Sequence, residues 1–404
     1  MKSDTPKVLH EVCGRPILQY VLDAAHAVGS LKIYVVIGHG SDSVRKSLSR
    51  ELIAVEQPRL LGTADAVRRV ETHFQNYNGD VLILCGDTPL LQKEVVQKII
   101  AGHKKTKVSC TFLTAVVDCP AGYGRVIRDG KGAVVAIREE NDLTASERGI
   151  AEINVGVYCF RAGDLFRTLR QIRLNKRKKE FYLTDIIDLF HAQGLKVETV
   201  TTEDHAQGLG INTREDLAAA EGILRRRVLK RLMLKGATIV DPHTTYIDDS
   251  VRIGKDTCIR PFTYIEKDVR IGNRCVIGPF AHLRPGVRIG NDVQIGNFTE
   301  VSRTQIGDQT LMKHFGFLGD ASVGSNVNIG AGTVTANYDG RQKNPTTIGN
   351  GAFIGSDSIL IAPVKIGREA VVGAGSVVTK GKVVPDGGIA VGVPAKIILR
   401  RKRG

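Results

Sequence analysis

Apolar and polar positions follow two different rhythms along the chain. Up to residue 211, short β-branched runs alternate with amphipathic stretches. The runs include Ile33-Tyr34-Val35-Val36-Ile37, Val81-Leu82-Ile83-Leu84 and Val108 to Val117. The stretches include Ile17 to Ala27 and Glu94 to Ala101. Buried strands separated by helices predict a largely parallel sheet covered on both faces. Sites in such sheets lie at the carboxyl ends of the strands.

Residues 213–235 predict one long helix joining two domains. Leu217, Ala220, Leu224, Val228 and Leu232 recur at helical spacing. Thr213-Arg214-Glu215-Asp216 resembles a capping box with Asp in the place of Glu, and Gly236 is placed to end the helix.

Beyond it the period becomes six. Ile247, Ile253, Ile259, Ile265, Ile271, Ile277, Leu283, Ile289, Ile295 and Val301 hold an unbroken register. The register slips near Gln305-Ile306-Gly307, returns at Val323 and Ile329, and returns again from Ile348 to Val378. Neither a helix nor a simple strand has this period. A short strand and a corner, repeated, does, and stacked coils then bury one ladder of side chains. Ala336 to Thr347 interrupts the ladder and predicts a loop leaving the solenoid.

The remaining composition narrows the function. At 404 residues the chain is too long for one compact core. Seven scattered cysteines form no CxxC pair, which suits a reducing cytoplasm and argues against a cysteine zinc site. No apolar run is long enough to span a bilayer. Of the +15 net charge, much is clustered at Arg173 to Lys179, Arg225 to Lys230 and Arg400-Arg401-Lys402-Arg403. With 5% aromatic residues and no Trp, stacking platforms for nucleic acid are not evident, so anionic small substrates are the expected partners.

Ordered motifs then carry a resemblance. They are Asp4-Thr5-Pro6-Lys7-Val8-Leu9, Leu61-Gly62-Thr63, Gly86-Asp87-Thr88-Pro89-Leu90, Gly122-Tyr123-Gly124-Arg125, Glu152-Ile153-Asn154-Val155-Gly156, Tyr182-Leu183-Thr184-Asp185, Gly210-Ile211-Asn212 and the stretch Asn328 to Gly340. Together with the solenoid, they resemble the bifunctional N-acetylglucosamine-1-phosphate uridylyltransferase / glucosamine-1-phosphate N-acetyltransferase family. The resemblance implies an α/β Rossmann-like nucleotidyltransferase domain over 1–211, a linker helix over 212–236, and a left-handed parallel β-helix of hexapeptide repeats over 237–404. It implies a cytoplasmic homotrimer.

For the first domain the resemblance implies that N-acetylglucosamine 1-phosphate attacks UTP and expels pyrophosphate. Such chemistry is mainly positioning and charge neutralisation. Asp87 and Asn212 are the expected Mg²⁺ ligands, and Lys7 the phosphate-neutralising cation. Gln57, Gly62 and Thr63 match uracil-contacting positions; Gly124, Glu139 and Asn154 match sugar-contacting ones. The family opens with a strand and a glycine-rich loop, whereas this sequence begins at the Met that closes them. The expectation is an internal Met1, a gap in the sheet, an unformed phosphate cradle and weak or no uridylyl transfer. Leu60 stands where the family has a Gln.

For the second domain, acetyl transfer to an amine needs a base, and His suits that near neutral pH. The solenoid holds His243, His282 and His314, too few and too scattered for a His-rich metal site. His314 lies where the register is disturbed, and the resemblance makes it the base that deprotonates glucosamine 1-phosphate for attack on acetyl-CoA. Arg284, Asn328, Asn337 and Tyr338 match acceptor contacts, and Ala331, Ser356 and Ala374 match positions lining the acetyl-CoA groove. Three positions depart from the pattern: Ser302 for a phosphate-binding Lys, Phe317 for a Tyr, and Gly392 near a cofactor-binding Arg. Arg303 is a candidate for the lost charge. Two further readings stay open: an acetyltransferase with an inactive nucleotidyl domain, acting on this or another amino sugar, and a non-catalytic trimeric scaffold.

Overall fold

The computed structural model describes residues 1–30, 32–38, 40–175 and 179–398. The basic residues 176–178 and the tail Arg400-Arg401-Lys402-Arg403 lie outside the described residues. The chain divides into two units, Met1–Ala220 and Glu221–Gly404.

In the first unit, helix α1 (Ile17–Ala27) matches its predicted span, and its Leu18 and Leu22 pack on Ile37 and Val44. Strands β1 (Tyr34–Ile37) and β2 (Ile53–Glu56) form a parallel pair. Helices α2 (Ser41–Ser47) and α3 (Thr63–Arg68) are short. After β3 (Asp80–Ile83) comes α4 (Lys93–Thr106), longer than expected because Lys107 closes it in a left-handed turn with φ 53°. The remaining strands are β4 (Cys110–Val116), β5 (Arg125–Arg128), β6 (Val134–Arg138), β7 (Glu152–Arg161) and β8 (Val197–Thr202); α5 (Ala162–Leu169) and α6 (Asp185–Ala192) lie between β7 and β8.

This sheet is mixed, not largely parallel. Only β4 and β8 run parallel within it. β7 runs antiparallel to β3, β4 and β5. β5 and β6 are also antiparallel, because a turn spanning Asp129 to Ala133 joins them, far short of the helical crossover a parallel pair needs. Among the described residues β1 pairs only with β2, and β3 only with β7.

Helix α7 (Arg214–Leu234) carries the predicted caps. The Thr213 hydroxyl accepts from Asp216 N at 3.0 Å, and Asp216 Oδ2 accepts from Thr213 N at 2.8 Å. At the other end Ala237 N donates to Leu232 O and Gly236 N to Met233 O, with Gly236 at φ 97°, which satisfies the last carbonyls.

The second unit is a parallel β-helix with three flat faces. Successive coils stack in register, Cys258 on Val276, Tyr264 on His282, Arg270 on Arg288. The first face runs from Thr238–Ile239 to Ile389–Val391 and is closed by the antiparallel strand Lys396–Ile398. The second runs from Tyr246–Ile247 to Val377–Val378, and the third from Arg252–Ile253 to Val383–Val384. Edge I joins the first and second faces, edge II the second and third, edge III the third and first. The aliphatic ladder points inward throughout: Ile259, Ile265, Ile277, Leu283, Ile295 and Val301 are fully buried.

The slip in the ladder is two shortened sides. Val301 to Ile306 and Leu318 to Val323 each span five residues where the other sides span six, and both cross edge II. Met312, Leu318 and Thr335 hold the inward positions that the sequence pattern had lost. The 336–347 excursion leaves at the same edge. Edge III is clamped instead by side chains: Asn273, Asn291 and Asp308 each accept the backbone N–H of the coil below, at 2.9, 2.9 and 2.7 Å. Glycine is required beside these clamps, because a Cβ at Gly290 would lie 2.3 Å from Asp308 Oδ1.

Candidate functional sites

In the first unit, two loops at strand ends converge. Asp87 follows β3, and Ile211 N donates to Asp87 O at 3.0 Å, so Gly210-Ile211-Asn212 runs alongside. Lys7 Nζ bonds Asp87 Oδ2 at 2.6 Å and Asn212 Oδ1 at 2.9 Å. Three residues from distant parts of the sequence thus meet at one point. The ammonium stands in for a cation between a carboxylate and an amide oxygen, a donor set that suits Mg²⁺ completed by water and phosphate.

The surroundings are committed to shape. Gly62 has φ 99°, and a Cβ there would lie 2.5 Å from Phe181 O. The Thr63 hydroxyl accepts from Leu183 N at 2.9 Å, tying the Leu61-Gly62-Thr63 loop to the Tyr182-Leu183-Thr184-Asp185 motif. Gln57 gives its amide N–H groups to Gly62 O and Asp65 Oδ2, both at 3.0 Å, which leaves its oxygen as the free group. Leu60 is exposed and covers Gly38.

The positions matched to sugar contacts are also brought together. Asn154 N donates to Gly124 O at 2.9 Å, and Asn154 Nδ2 donates to Tyr158 Oη at 2.6 Å. Glu139 accepts from the Thr184 hydroxyl at 2.8 Å. Burial raises the Glu139 carboxyl above its usual range despite that bond. Asp185 is pushed up to about 6 by burial, then by Asp188 and Glu139. Cys85, beneath Asp87, is pushed up to about 12 by burial, so it is a packed thiol and not a nucleophile.

In the second unit the register brings candidates onto one edge. His314 lies between strands Leu311–Met312 and Gly316–Gly319, at edge I. Ala331, Ser356, Ala374 and Gly392 occupy the next rungs, linked by Asp357 N to Ala331 O at 2.6 Å, Gly375 N to Ser356 O at 2.7 Å and Val377 N to Gly392 O at 3.0 Å. Small residues therefore form an unobstructed strip that runs from His314 across four inter-strand spacings, about 19 Å. That suits an extended pantetheine arm. Gly392 is its last rung, so no arginine side chain stands there.

His314 is exposed and its ring has no hydrogen-bond partner among the described residues. Its own side, Met312 to Leu318, keeps six residues; the disturbances flank it and do not carry it. On the second face beside it stand Phe317 and Glu300, paired in register. Glu300 binds Arg284 Nε at 2.6 Å. Asn328 faces out from the first face.

Asn337 and Tyr338 lie elsewhere, at edge II, one full side away. A six-residue side spans up to roughly 20 Å. One chain therefore does not bring His314 and Asn337 together. Asn337 donates to Asp320, and Tyr338 Oη donates to Gly340 O at 2.8 Å. The excursion is anchored by Asp339, which accepts from Gln342 N, Asn344 Nδ2, Arg341 N and Lys380 Nζ; these bonds hold its carboxyl well below the usual range.

Arg303 does not offer a loose charge in place of the lysine. Its Nε and Nη2 bind both oxygens of Asp320, and its Nη1 donates to the hydroxyl of buried Ser302 at 2.7 Å. A cavity of about 300 Å³ lies beside this pair, lined by Arg303, Gln305, Asp320, Ser322, Pro345 and Thr347 among others. Glu300 and Asp320 were missed in the sequence. The available signal was their distance from an arginine: Arg284 and Glu300, or Arg303 and Asp320, are about one coil apart.

Residues 2–206 match the model of the Nucleotidyl transferase family. Residues 250–285 and 268–303 match the bacterial transferase hexapeptide, and 345–380 the hexapeptide repeat of succinyl-transferase. "Bifunctional protein GlmU" of Pelotomaculum thermopropionicum is 45% identical over 90% of this chain and 87% of its own length. Proteins of the same name from a Geobacillus species and from Acetivibrio thermocellus are 40% and 39% identical, each over 97% of this chain and 92% of their own lengths. Among the described residues no helix is long and apolar enough to cross a membrane.

Proposed function

The chain belongs to the bifunctional GlmU family, and from that premise we propose how its residues divide the synthesis of UDP-N-acetylglucosamine. The solenoid acetylates glucosamine 1-phosphate from acetyl-CoA. The first unit joins the product to UTP. Both work on small anionic molecules, and the solenoids associate as trimers.

The observation that carries the acetyl-transfer assignment is the single row His314, Ala331, Ser356, Ala374 and Gly392 along edge I. Acetyl-CoA lies along the small residues with its thioester at His314. The imidazole takes a proton from the 2-amino group. The nitrogen attacks the thioester carbonyl, and the tetrahedral adduct collapses with loss of the CoA thiolate. Arg284, held by Glu300, faces the sugar phosphate. Asn337 and Tyr338 reach an acceptor only from another subunit, because they lie a full side away from His314 on their own chain.

In the first unit the sugar phosphate attacks the α-phosphorus of UTP, and pyrophosphate leaves. Asp87 and Asn212 would hold Mg²⁺, which supplies charge neutralisation at the phosphates when bound. Lys7 then turns from Asp87 to phosphate. Gln57 presents its carbonyl oxygen to the base, and Asn154 and Glu139 position the sugar. A cytoplasmic location fits this reading, since acetyl-CoA and UTP are cytoplasmic.

Two assays on one preparation test the division. Asp87→Asn should abolish pyrophosphate release and leave CoA release intact; His314→Ala should do the reverse. Loss of both activities in either properly folded variant would sink the assignment. One observation favours a second reading, acetyl transfer alone: among the described residues β1 pairs only with β2 and β3 only with β7. Undetectable pyrophosphate release from the unaltered chain would support it.

A further inference from the structure

The strip of small residues along edge I has room for an arm but offers nothing to an anion. Above His314, edge I and its two flanking faces are built from residues 328–336, 353–361, 371–378 and 389–395, and these stretches contain no lysine or arginine. Their one charge is Asp357. A Cβ at Gly332 would lie 2.0 Å from Asp357 Oδ1, so that carboxylate is turned toward the rung below it. The other cations at this height are engaged or lie elsewhere. Lys380 binds Asp339 at 3.2 Å and Arg368 binds Asp386 at 2.9 Å. Lys365 is on the third face, and Arg341 and Lys343 are on the excursion at edge II.

Lys396 is the exception. At Gly392 the chain turns back at edge I, and Lys396–Ile398 returns antiparallel to Ile389–Val391. The turn is fixed on the coil beneath: Gly392 N donates to Ser376 Oγ at 3.1 Å, and Ala395 N to Val377 O at 2.8 Å. Gly392 has φ 97°, a conformation that suits glycine. The same turn that leaves position 392 without a side chain therefore carries Lys396 back to the edge. Lys396 pairs with Val391. Ala390 is fully buried, so Val391 points outward, and a directly paired residue points the same way. Lys396 is exposed and makes no ion pair among the described residues.

We infer that Lys396 is a specificity-determining residue of the acetyl-transfer site, which binds the phosphates at the nucleotide end of acetyl-CoA. The inference rests on the acetyl-transfer reading and adds what distinguishes the whole cofactor from its pantetheine arm. Length supports it. The arm from thioester to pyrophosphate is about 16 Å long when extended, from ordinary bond lengths. The strand of Lys396 is five inter-strand spacings from His314, about 24 Å. A lysine side chain reaches about 6 Å back toward the phosphates. An ammonium on a flexible stem suits a phosphate as a point charge.

The test compares acetyl-CoA with S-acetylpantetheine, which has the arm and no phosphate, in the full chain with glucosamine 1-phosphate. Lys396→Ala should raise KM for acetyl-CoA about tenfold, the worth of one charge-assisted contact, with kcat little changed. KM for S-acetylpantetheine should hold, and Lys396→Arg should restore the KM for acetyl-CoA. An equal rise for both donors, or a rise for neither, overturns the assignment. Labelling of the unaltered chain needs neither a variant nor turnover. CoA should slow reductive methylation of Lys396 several-fold and pantetheine should not; equal labelling with either overturns the assignment. Protection by CoA without any thiol release would refute the acetyl-transfer reading and leave the contact standing. Thiol release without protection would do the opposite.

Discussion

Arg303 grips the carboxylate of Asp320 with two bonds, 2.6 Å from Nε and 2.9 Å from Nη2, one coil further along the chain. The same carboxylate accepts from Asn337. A guanidinium and a candidate substrate-contacting amide are therefore positioned by one acid. Asp320→Asn should raise KM for the amino sugar phosphate several-fold with a smaller change in kcat. The pair is partly exposed, so the stability loss should be only about 1 kcal/mol in a urea melt. The bond from Arg303 lowers the Asp320 pKa against the opposing effect of burial. Its stabilisation is thus present above the unfolded carboxylate range and disappears as pH falls through the lower folded value. The variant should lack that acid-side loss.

Ala374 is an exposed rung of the strip. Ala374→Leu should place a side chain in the path of the pantetheine arm without disturbing the inward ladder. KM for acetyl-CoA should rise at least tenfold, while KM for the amino sugar and the melting temperature hold. An unchanged KM for acetyl-CoA would remove edge I as the cofactor path.

Asp185 is pushed up to about 6 by burial, Asp188 and Glu139. A carboxyl with a raised folded value is destabilising once ionised, so its penalty grows as pH rises from about 4 to 6 and then stays. Asp185→Asn should stabilise the first unit at pH 7 by about 1–2 kcal/mol, discounted for partial exposure, and by almost nothing at pH 4. Thermal melts at the two pH values would show it.

Gly62 is held at φ 99° against the backbone of Phe181. Gly62→Ala has no room to relax, because the obstacle is main chain. Uridylyl transfer should fall at least tenfold and the first unit lose roughly 1–3 kcal/mol, since a left-handed strain and a backbone clash combine. CoA release should not change.

Much of the solenoid was legible in its sequence, because each inward position repeats under the same constraint. Ile247 to Val301 could be assigned to the interior one by one. Legibility failed where the constraint changed type: buried Thr335 fills an inward position through hydroxyl bonds with Gly319, which no search for aliphatics finds. The antiparallel course of β7 was hidden because Glu152 to Arg161 reads equally well as a buried strand in either direction. Lys7, Asp87 and Asn212 could be grouped only through family resemblance, since no local spacing relates them.

The two five-residue sides have a consequence for how such a coil can be edited. Both shortenings and the excursion fall on edge II, and the inward ladder passes them without losing a rung. That edge behaves as a site where length is adjustable while the other two edges hold the count. Inserting one residue between Ser302 and Thr304 should leave every coil above it in place and fill the hollow beside Arg303. Deleting one from edge III, where each asparagine must meet the coil beneath it, should unravel the stack. A substrate pocket on such a scaffold can be resized by insertion and deletion at a single corner, a route to new specificity that substitutions alone do not provide.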